Sequence, residues 1–519
     1  MVAETLAGII RQMAAERPDA PAITYEDATI TYEGLDERSS RVGNALVASG
    51  VKPGDRVTIL DKNAPSFYEI EFGVAKVGAI TVPVNWRLAP AEIAHVVRDS
   101  QARVLFVTPE LWPQVESVVR DLGLDHVVAL GAIDGFPTYD EWRDAHPSAD
   151  PGHQGHPDDV VVQYYTSGTT GLPKGAMLSS RNLTSNIEQS SETLGIDDHV
   201  VSLVAMPLFH VSGSAWGLFG LAVGAHLVMM RDVDLDQVLE YIPKYRITHT
   251  VFVPAVLQFL LLMPDVDKID FSSLELIVYG ASPISREVLE ESIARFGCEF
   301  AQAYGLTETS GGVVLLLPED HDLNGPHPER LLSCGQAGPG VELRIVDLET
   351  GKNAPTGEVG EVWIRGPEVM TGYWNLPEAT ADAITADRWF RSGDVGYLDA
   401  DGFLYLQDRV KDMIITGGEN VYPAEVENVL MSHPAVADVG VIGVPDDQWG
   451  EAVKAIVVRA PDAKVTEEAL ISYSRDRLAH YKAPRSIDWA DELPRTPTGK
   501  ILKRDLRAPY WKGRERQVS

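Results

Sequence analysis

Cysteine is almost missing from this chain: Cys298 and Cys334 are the only two in 519 residues. Two thiols cannot build a disulfide framework or, unaided, a zinc site, so a reduced, cytoplasmic setting is the expectation. Long apolar runs are missing too. The longest, residues 218–230 and 251–263, fall short of the about 20 residues a membrane span needs. His226, Pro254 and Gln258 interrupt them, so both read as core and no transmembrane segment is expected. The first 16 residues lack the basic start and continuous apolar stretch of a signal peptide; Leu6, Ile9, Ile10 and Met13 form an amphipathic pattern instead. Positive charge is scarce, with 44 Lys and Arg against 76 Asp and Glu, a formal net charge of -32. Such a surface argues against nucleic acid and anionic membranes as partners. It does not exclude an anionic nucleotide, which a few placed cations and backbone dipoles can hold.

The chain exceeds the ~250–300 residues at which one core stops growing, so at least two domains are expected. Residues 22–130 alternate strand and helix: a hairpin at 22–31, a helix at 32–49 closed by Gly50, then strands at 56–60, 79–84, 104–108 and 126–130. Helices are expected at 66–77, 90–100 and 113–123 between them. This predicts parallel sheets covered by helices. Residues 131–157, rich in Pro, Gly and His, read as a solvated linker, with His153 and His156 as linker residues rather than a metal pair.

Residues 164–175 carry the most chemistry: Tyr164-Tyr165-Thr166-Ser167-Gly168-Thr169-Thr170-Gly171-Leu172-Pro173-Lys174-Gly175. They follow a β-branched strand at 160–162. Gly168 and Gly171 let the backbone curl with its N–H groups inward, a concave anion site. Thr166, Ser167, Thr169, Thr170 and the ammonium of Lys174 add donors for a triphosphate. The Walker pattern needs Gly-Lys-Ser/Thr; Pro173 and Gly175 flank Lys174 here, so that pattern fails. A second αβ array follows, with strands at 200–205, 247–253 and 274–279. Each runs into a motif or precedes one: Met206-Pro207-Leu208-Phe209-His210, Gly280-Ala281-Ser282, and Gln302-Ala303-Tyr304-Gly305-Leu306-Thr307-Glu308. Motifs beyond the carboxyl ends of strands are where open α/β sheets bind ligands. After 333 shorter alternating strands suggest a β-rich part, holding Gly393-Asp394 and Asp408-Arg409. From 411 a small α+β unit is expected, with strands at 413–415, 436–444 and 452–458 and helices from Pro423 and at 467–478.

Together these segments resemble the adenylate-forming superfamily of acyl-CoA synthetases, luciferases and peptide-synthetase adenylation domains, over about 29–506. The resemblance is closest to bacterial fatty-acid–CoA ligases. It implies an α/β fold: a large N-terminal domain of αβ sheets over 1–410, with a β-rich part at about 333–410, and a small mobile α+β domain over 411–519. It also implies the cofactors ATP, CoA and Mg2+. Residues 166–171 and Lys174 would hold the β- and γ-phosphates. Lys500, in Pro497-Thr498-Gly499-Lys500, would be the adenylation lysine, bridging the acid carboxylate and the α-phosphate. Glu308, with Thr170 as partner, would bind magnesium. Gly280, Ala281, Ser282, Gln302, Ala303, Tyr304, Gly305 and Thr307 would form the adenine slot and α-phosphate contacts, Tyr304 stacking on the base. Asp394 would take both ribose hydroxyls, with Arg409 beside it. His210 would orient the acid, and Ser212, Gly213, Ser214, Ala215, Trp216 and Phe219 would shape an apolar acyl cavity. Lys411 would be the hinge, where some members carry Asp, and Gly417, Gly418 and Glu419 would face the pantetheine arm of CoA.

The implied reaction joins a small carboxylic acid, ATP and CoA into acyl-CoA, AMP and pyrophosphate through an acyl-adenylate. The acid is expected to be a medium- or long-chain fatty acid or a bulky cyclic one. The alternative is an acyl-AMP ligase passing the acyl group to a carrier protein or another nucleophile; the insertion that marks that group is not found after Glu308. A non-catalytic nucleotide sensor is disfavoured because Lys500, Glu308 and Asp394 are all present. Homodimers are common among such enzymes, so a homodimer is the assembly the resemblance leaves open.

Overall fold

The computed structural model describes the chain apart from residues 1, 118, 167–172, 283, 322, 324, 417–418, 447, 462, 496–500 and 513–519. It divides into two compact units. The first comprises Met1–Ala281, Arg286–Glu342 and Ile364–Phe390; the second comprises Ser282–Ser285, Leu343–Trp363 and Arg391–Ser519.

In the first unit the expected alternation of strand and helix holds, and its causes are local. The Thr31 hydroxyl accepts from the Gly34 N–H at 3.1 Å and opens the helix Tyr32–Ala48, which buries Leu35, Val42 and Leu46. Gly50, at φ +81°, turns the chain away after it. This helix meets the helix Pro65–Ala75 at a glycine: a Cβ on Gly73 would fall 2.7 Å from the Ser39 carbonyl oxygen and from Val42 Cβ.

Two large sheets result. One has seven strands, in the order Gly372–Tyr373, Lys174–Ser179, Val160–Thr166, Ile80–Pro83, Arg56–Leu60, Ala102–Val107 and His126–Ala129. The other has nine: Gln336–Ala337, Gly311–Leu316, Glu299–Leu306, Leu276–Gly280, His249–Phe252, Val201–Val204, His226–Met229, Pro21–Tyr25 and Ala28–Thr31. The interior strands pair in parallel, as expected. Antiparallel pairs arise where the chain folds straight back, as Val160–Thr166 returns as Lys174–Ser179 and Glu299–Leu306 as Gly311–Leu316, whereas the edge strand His126–Ala129 pairs in parallel.

Four expectations need correction. The helix expected at 113–123 is a turn of helix at Trp112–Val115 and a 3-10 turn at Val119–Asp121. Its three valines lower helix propensity, and Val115, Val119 and Leu122 are held instead by a local apolar cluster. The supposed linker contains the helix Tyr139–Asp144, capped by Thr138 and Glu141 and anchored by the buried Tyr139 and Arg143. Residues 251–263 are not uniformly core, since Phe259 and Leu262 are exposed on the helix Pro254–Leu261 and just after it. Residues 333–410 are not one piece: Gln336–Ala337 and Gly372–Tyr373 belong to the large sheets, and the division into units does not fall at 410. The cause is the four-stranded sheet Glu342–Val346, Gly360–Arg365, Phe390–Leu398 and Leu404–Arg409, most of which groups with the C-terminal residues.

The second unit also holds a five-stranded sheet of Glu419–Val421, Ile414–Thr416, Gly450–Arg459, Val436–Asp446 and Ser486–Ala490. The helices Pro423–Met431 and Glu467–Arg475 cover a core that includes Val426, Leu430, Val441, Val457 and Leu470. The C-terminal helix Lys503–Arg507 ties back to residues 408–412. Lys503 lies 3.4 Å from Asp408 and 3.1 Å from Glu427, and Arg507 lies 2.8 Å from Asp412. No described helix is long and apolar enough to cross a membrane.

Candidate active site

Four parallel neighbours of the nine-stranded sheet direct their carboxyl ends to one edge: Val201–Val204, His249–Phe252, Leu276–Gly280 and Glu299–Leu306. The loop after the first carries His210, the third ends in Gly280-Ala281, and the fourth leads into Glu308. Backbones crowd here. A Cβ on Gly280 would sit 2.2 Å from the Ala303 carbonyl oxygen, and one on Gly305 1.8 Å from that of Gly311. Only glycine fits at either position. Ala281 is held at φ +66°, a left-handed conformation that costs a residue with a Cβ about 1–2 kcal/mol.

Glu308 lies in the single turn Thr307–Thr309. Thr309 locks that turn by accepting from the Leu306 N–H at 2.8 Å and donating to the Gly311 carbonyl at 2.9 Å. The Glu308 side chain is buried, and its Oε1 accepts from the Tyr373 hydroxyl at 2.8 Å and from Thr166 Oγ1 at 3.4 Å. Thr166 and Lys174 face each other across the hairpin that carries the predicted phosphate loop. The Lys174 ammonium stands 5.2 Å from the Tyr373 ring centroid. Two hydroxyls, from Thr166 and Tyr373, therefore meet on the Glu308 carboxylate, with the Lys174 ammonium against the Tyr373 ring. Ser167, Gly168, Thr169, Thr170 and Gly171 lie outside the described residues. Among the described residues no three His, Cys, Asp or Glu cluster as metal ligands.

Tyr373 is a residue the sequence reading missed. A Gly-Tyr-Trp triplet has no periodicity to read, and only its pairing with Ala176 in the adjacent strand brings it here.

His210 caps the helix Val211–Val223, its Nδ1 accepting from the Ser212 N–H at 3.2 Å. Ser214 Oγ donates to the His210 carbonyl at 3.2 Å and, in turn, lies 2.5 Å from the Tyr164 hydroxyl. Trp216 and Phe219 of this helix are buried edge-to-face at 6.3 Å, within the main core rather than at a surface. Gln302 points to Tyr279 and Cys334: the Tyr279 hydroxyl lies 3.3 Å from its Oε1, and Cys334 Sγ 3.7 Å from its Nε2. Tyr304 and Thr307 are half-buried on the same strand end. A recess of ≈ 450 Å³ is lined by Lys62, Trp86, Arg87 and Glu110. Its cations are matched by carboxylates, Lys62 with Glu110 at 2.8 Å and Arg87 with Asp232 at 3.3 Å, so it offers no net positive field.

In the second unit Asp394 and Arg409 oppose each other on paired strands, with Arg409 Nε 3.0 Å from Asp394 Oδ1. The turn before Asp394 is fixed by Gly393 at φ +71°, whose N–H reaches Glu361 Oε1 at 3.1 Å, and by Ser392 Oγ, which accepts from the Asp394 N–H at 3.0 Å. Burial, with Arg409 close by, holds the Lys411 ammonium below the usual lysine range. Glu419 is exposed on its short strand. Ser282 belongs to the short segment grouped with this unit. Gly417, Gly418 and Lys500 lie outside the described residues; Arg495 and Ile501, which flank Lys500, pair with each other.

The family model described as "AMP-binding enzyme" matches residues 10–374, and its C-terminal domain model matches 425–500. The chain belongs to the AMP-binding enzyme family. Within it, the chain is 42% identical over 511 residues to the fatty acid–[acyl-carrier-protein] ligase ScoC of Streptomyces coeruleorubidus, covering 98% of this chain and 96% of that protein. It is 39% identical over 496 residues to a feruloyl-CoA synthase of an Amycolatopsis species, covering 95% and 96%. Among solved structures, ATP-bound MatB from Rhodopseudomonas palustris superposes with a TM-score of 0.89 at 30% identity, over 97% of this chain and 99% of that one. This AMP-binding enzyme is thus an acid–thiol ligase by family, with a mixed α/β fold shared by adenylate-forming enzymes.

Proposed function

We propose that this AMP-binding enzyme converts a medium- or long-chain fatty acid, or a bulky cyclic acid, with ATP and CoA into acyl-CoA, AMP and pyrophosphate. The observation that carries the reading is the meeting of Thr166 and Tyr373 at Glu308, with Lys174 beside the Tyr373 ring on the phosphate hairpin. Acyl-adenylate formation brings a carboxylate against a polyphosphate, two anions, so cations and donors must take up charge as it shifts to the leaving pyrophosphate. Lys174 and the loop 166–171 are proposed to do this at the β- and γ-phosphates, and Lys500 at the α-phosphate and the acid. Asp394, with Arg409, is proposed to hold the ribose, and residues 280–282 and 302–307 the adenine side. The helix cap at His210 leaves Nε2 as the protonated ring nitrogen, a donor suited to the acid's carboxylate.

Glu308 fits a magnesium ion carried mainly by the nucleotide. Its Oε1 is taken by two hydroxyls, its Oε2 receives no hydrogen bond among the described residues, and no wider ligand cluster is described. When bound, the ion would neutralise phosphate charge; Thr170 is the second proposed ligand. The chain is proposed to pivot at Lys411 between adenylation and thiol transfer, with Gly417, Gly418 and Glu419 then facing CoA. A cytoplasmic homodimer is the proposed working form.

A carrier protein as acceptor is the second reading, favoured by the 42% identity to a relative named as an acyl-carrier-protein ligase. One experiment separates the two: pyrophosphate release and thioester formation over a panel of fatty, aryl and alicyclic acids, with CoA or a phosphopantetheinylated carrier protein. Thioester on CoA is expected. Thioester on the carrier protein alone selects the second reading, and no pyrophosphate release with any acid rejects both.

A further inference from the structure

Tyr373 faces two charged groups of opposite sign with two different parts of one side chain. Its hydroxyl donates to Glu308 Oε1 at 2.8 Å, and its ring lies 5.2 Å from the Lys174 ammonium. The backbone is pinned where this happens. Tyr373 pairs with Ala176 in the strand that starts at Lys174, its N–H reaches Thr380 Oγ1 at 2.9 Å, and the Trp374 N–H reaches the Gly175 carbonyl at 2.8 Å. One residue before the strand, the Thr371 N–H donates to the Met177 carbonyl at 2.9 Å, and the Met370 N–H donates to the Glu308 carbonyl at 2.8 Å. The segment 370–374 therefore straps the phosphate hairpin to the turn carrying Glu308.

Among the described residues no ion pair involves Lys174 or Glu308. An ammonium and a carboxylate in one site would ordinarily collapse on each other, removing the cation from a phosphate and the carboxylate from a metal. We infer that Tyr373 is a positioning residue that keeps these two charges apart and aimed: its hydroxyl holds one oxygen of Glu308 so that the other faces a divalent cation, and its ring face holds the Lys174 ammonium for the phosphates. This inference rests on the adenylation reading above, and assigns within it a residue outside the motifs identified in the sequence.

The two roles separate by substitution. Tyr373→Phe keeps the ring and loses the donor; Tyr373→Leu loses both. ATP affinity, measured by calorimetric titration without any acid, is compared in Mg2+ and in EDTA, with far-ultraviolet dichroism and Tm establishing that each variant is folded. Tyr373→Phe should weaken binding about tenfold in Mg2+, the loss of a hydrogen bond to a charged group, and leave binding in EDTA unchanged. Tyr373→Leu should in addition weaken binding in EDTA by about threefold, the loss of the cation–π contact. In a Glu308→Gln background Tyr373→Phe should have no further effect. Wild-type affinity of Tyr373→Phe in Mg2+, or an equal loss in both conditions, would overturn the assignment. Absence of any ATP binding by the wild-type protein would instead overturn the adenylation reading, and this inference with it.

Discussion

The backbone N–H of Ser212 donates to Nδ1 of His210 at 3.2 Å. A ring nitrogen that accepts from an amide carries no proton, so the neutral imidazole bears its hydrogen on Nε2. The helix cap thereby chooses the tautomer. His210→Ala removes this donor and should raise KM for the acid about tenfold while leaving KM for ATP nearly unchanged. It also removes a cap worth about 1 kcal/mol, so a small fall in Tm should accompany it. An equal rise in both KM values would mean that the residue serves the fold and not the acid.

Asp394 is buried beside Arg409, with its backbone set by Ser392 and Glu361. If it receives both ribose hydroxyls, the wild-type enzyme should prefer ATP over 2′-deoxy-ATP by about tenfold or more. Asp394→Ala should erase that preference. A variant that loses overall affinity but keeps the preference would place ribose recognition elsewhere.

The two half-reactions should separate at two lysines. Lys500→Ala should lose nearly all acyl-adenylate formation yet still transfer the acyl group to CoA from a supplied acyl-adenylate. Lys411→Pro should do the reverse, forming acyl-adenylate and failing at the thioester, because the pivot is stiffened. Quench-flow measurement of pyrophosphate and thioester checks both, and parallel loss of both steps in either variant would contradict the pivot.

Glu71 makes the pH prediction. It is fully buried, neither carboxyl oxygen has a hydrogen-bond partner among the described residues, and burial pushes the carboxyl up to about 8. The unfolded chain ionises near the ordinary value of 4.5, so between these two values unfolding releases a proton. Stability therefore falls as pH rises through that window, by up to about 1.4 kcal/mol per pH unit. Glu71→Leu should raise Tm more at pH 8 than at pH 5. The same pH slope in variant and wild type would refute the assignment.

The alternation of strand and helix was legible because buried parallel strands and amphipathic helices each impose a period on the chain, and caps such as Thr31 punctuate it. The phosphate segment, Glu308, Asp394 and Lys500 stand out in the sequence as candidates because phosphate chemistry demands particular side chains in contiguous order; their roles are proposals. The helix Tyr139–Asp144 is masked in the sequence by the Pro- and Gly-rich stretch around it, even though Thr138 and Glu141 spell a capping box. The separate turns Trp112–Val115 and Val119–Asp121 are not legible in the sequence, because local pattern carries no record of which apolar cluster will claim Val115 and Val119.

By itself, then, the sequence determined the family, the α/β class and the identity of the charged groups, since these depend on residue type and short-range order. Only the tertiary structure decided that Tyr373 stands between Lys174 and Glu308, that His210 is held as one tautomer, and that Glu71 is a carboxyl with no hydrogen-bond partner among the described residues. Each depends on segments distant in the chain, or on backbone geometry, being fixed to within a fraction of an ångström. Packing sets that distance, and no period or motif in the chain encodes it.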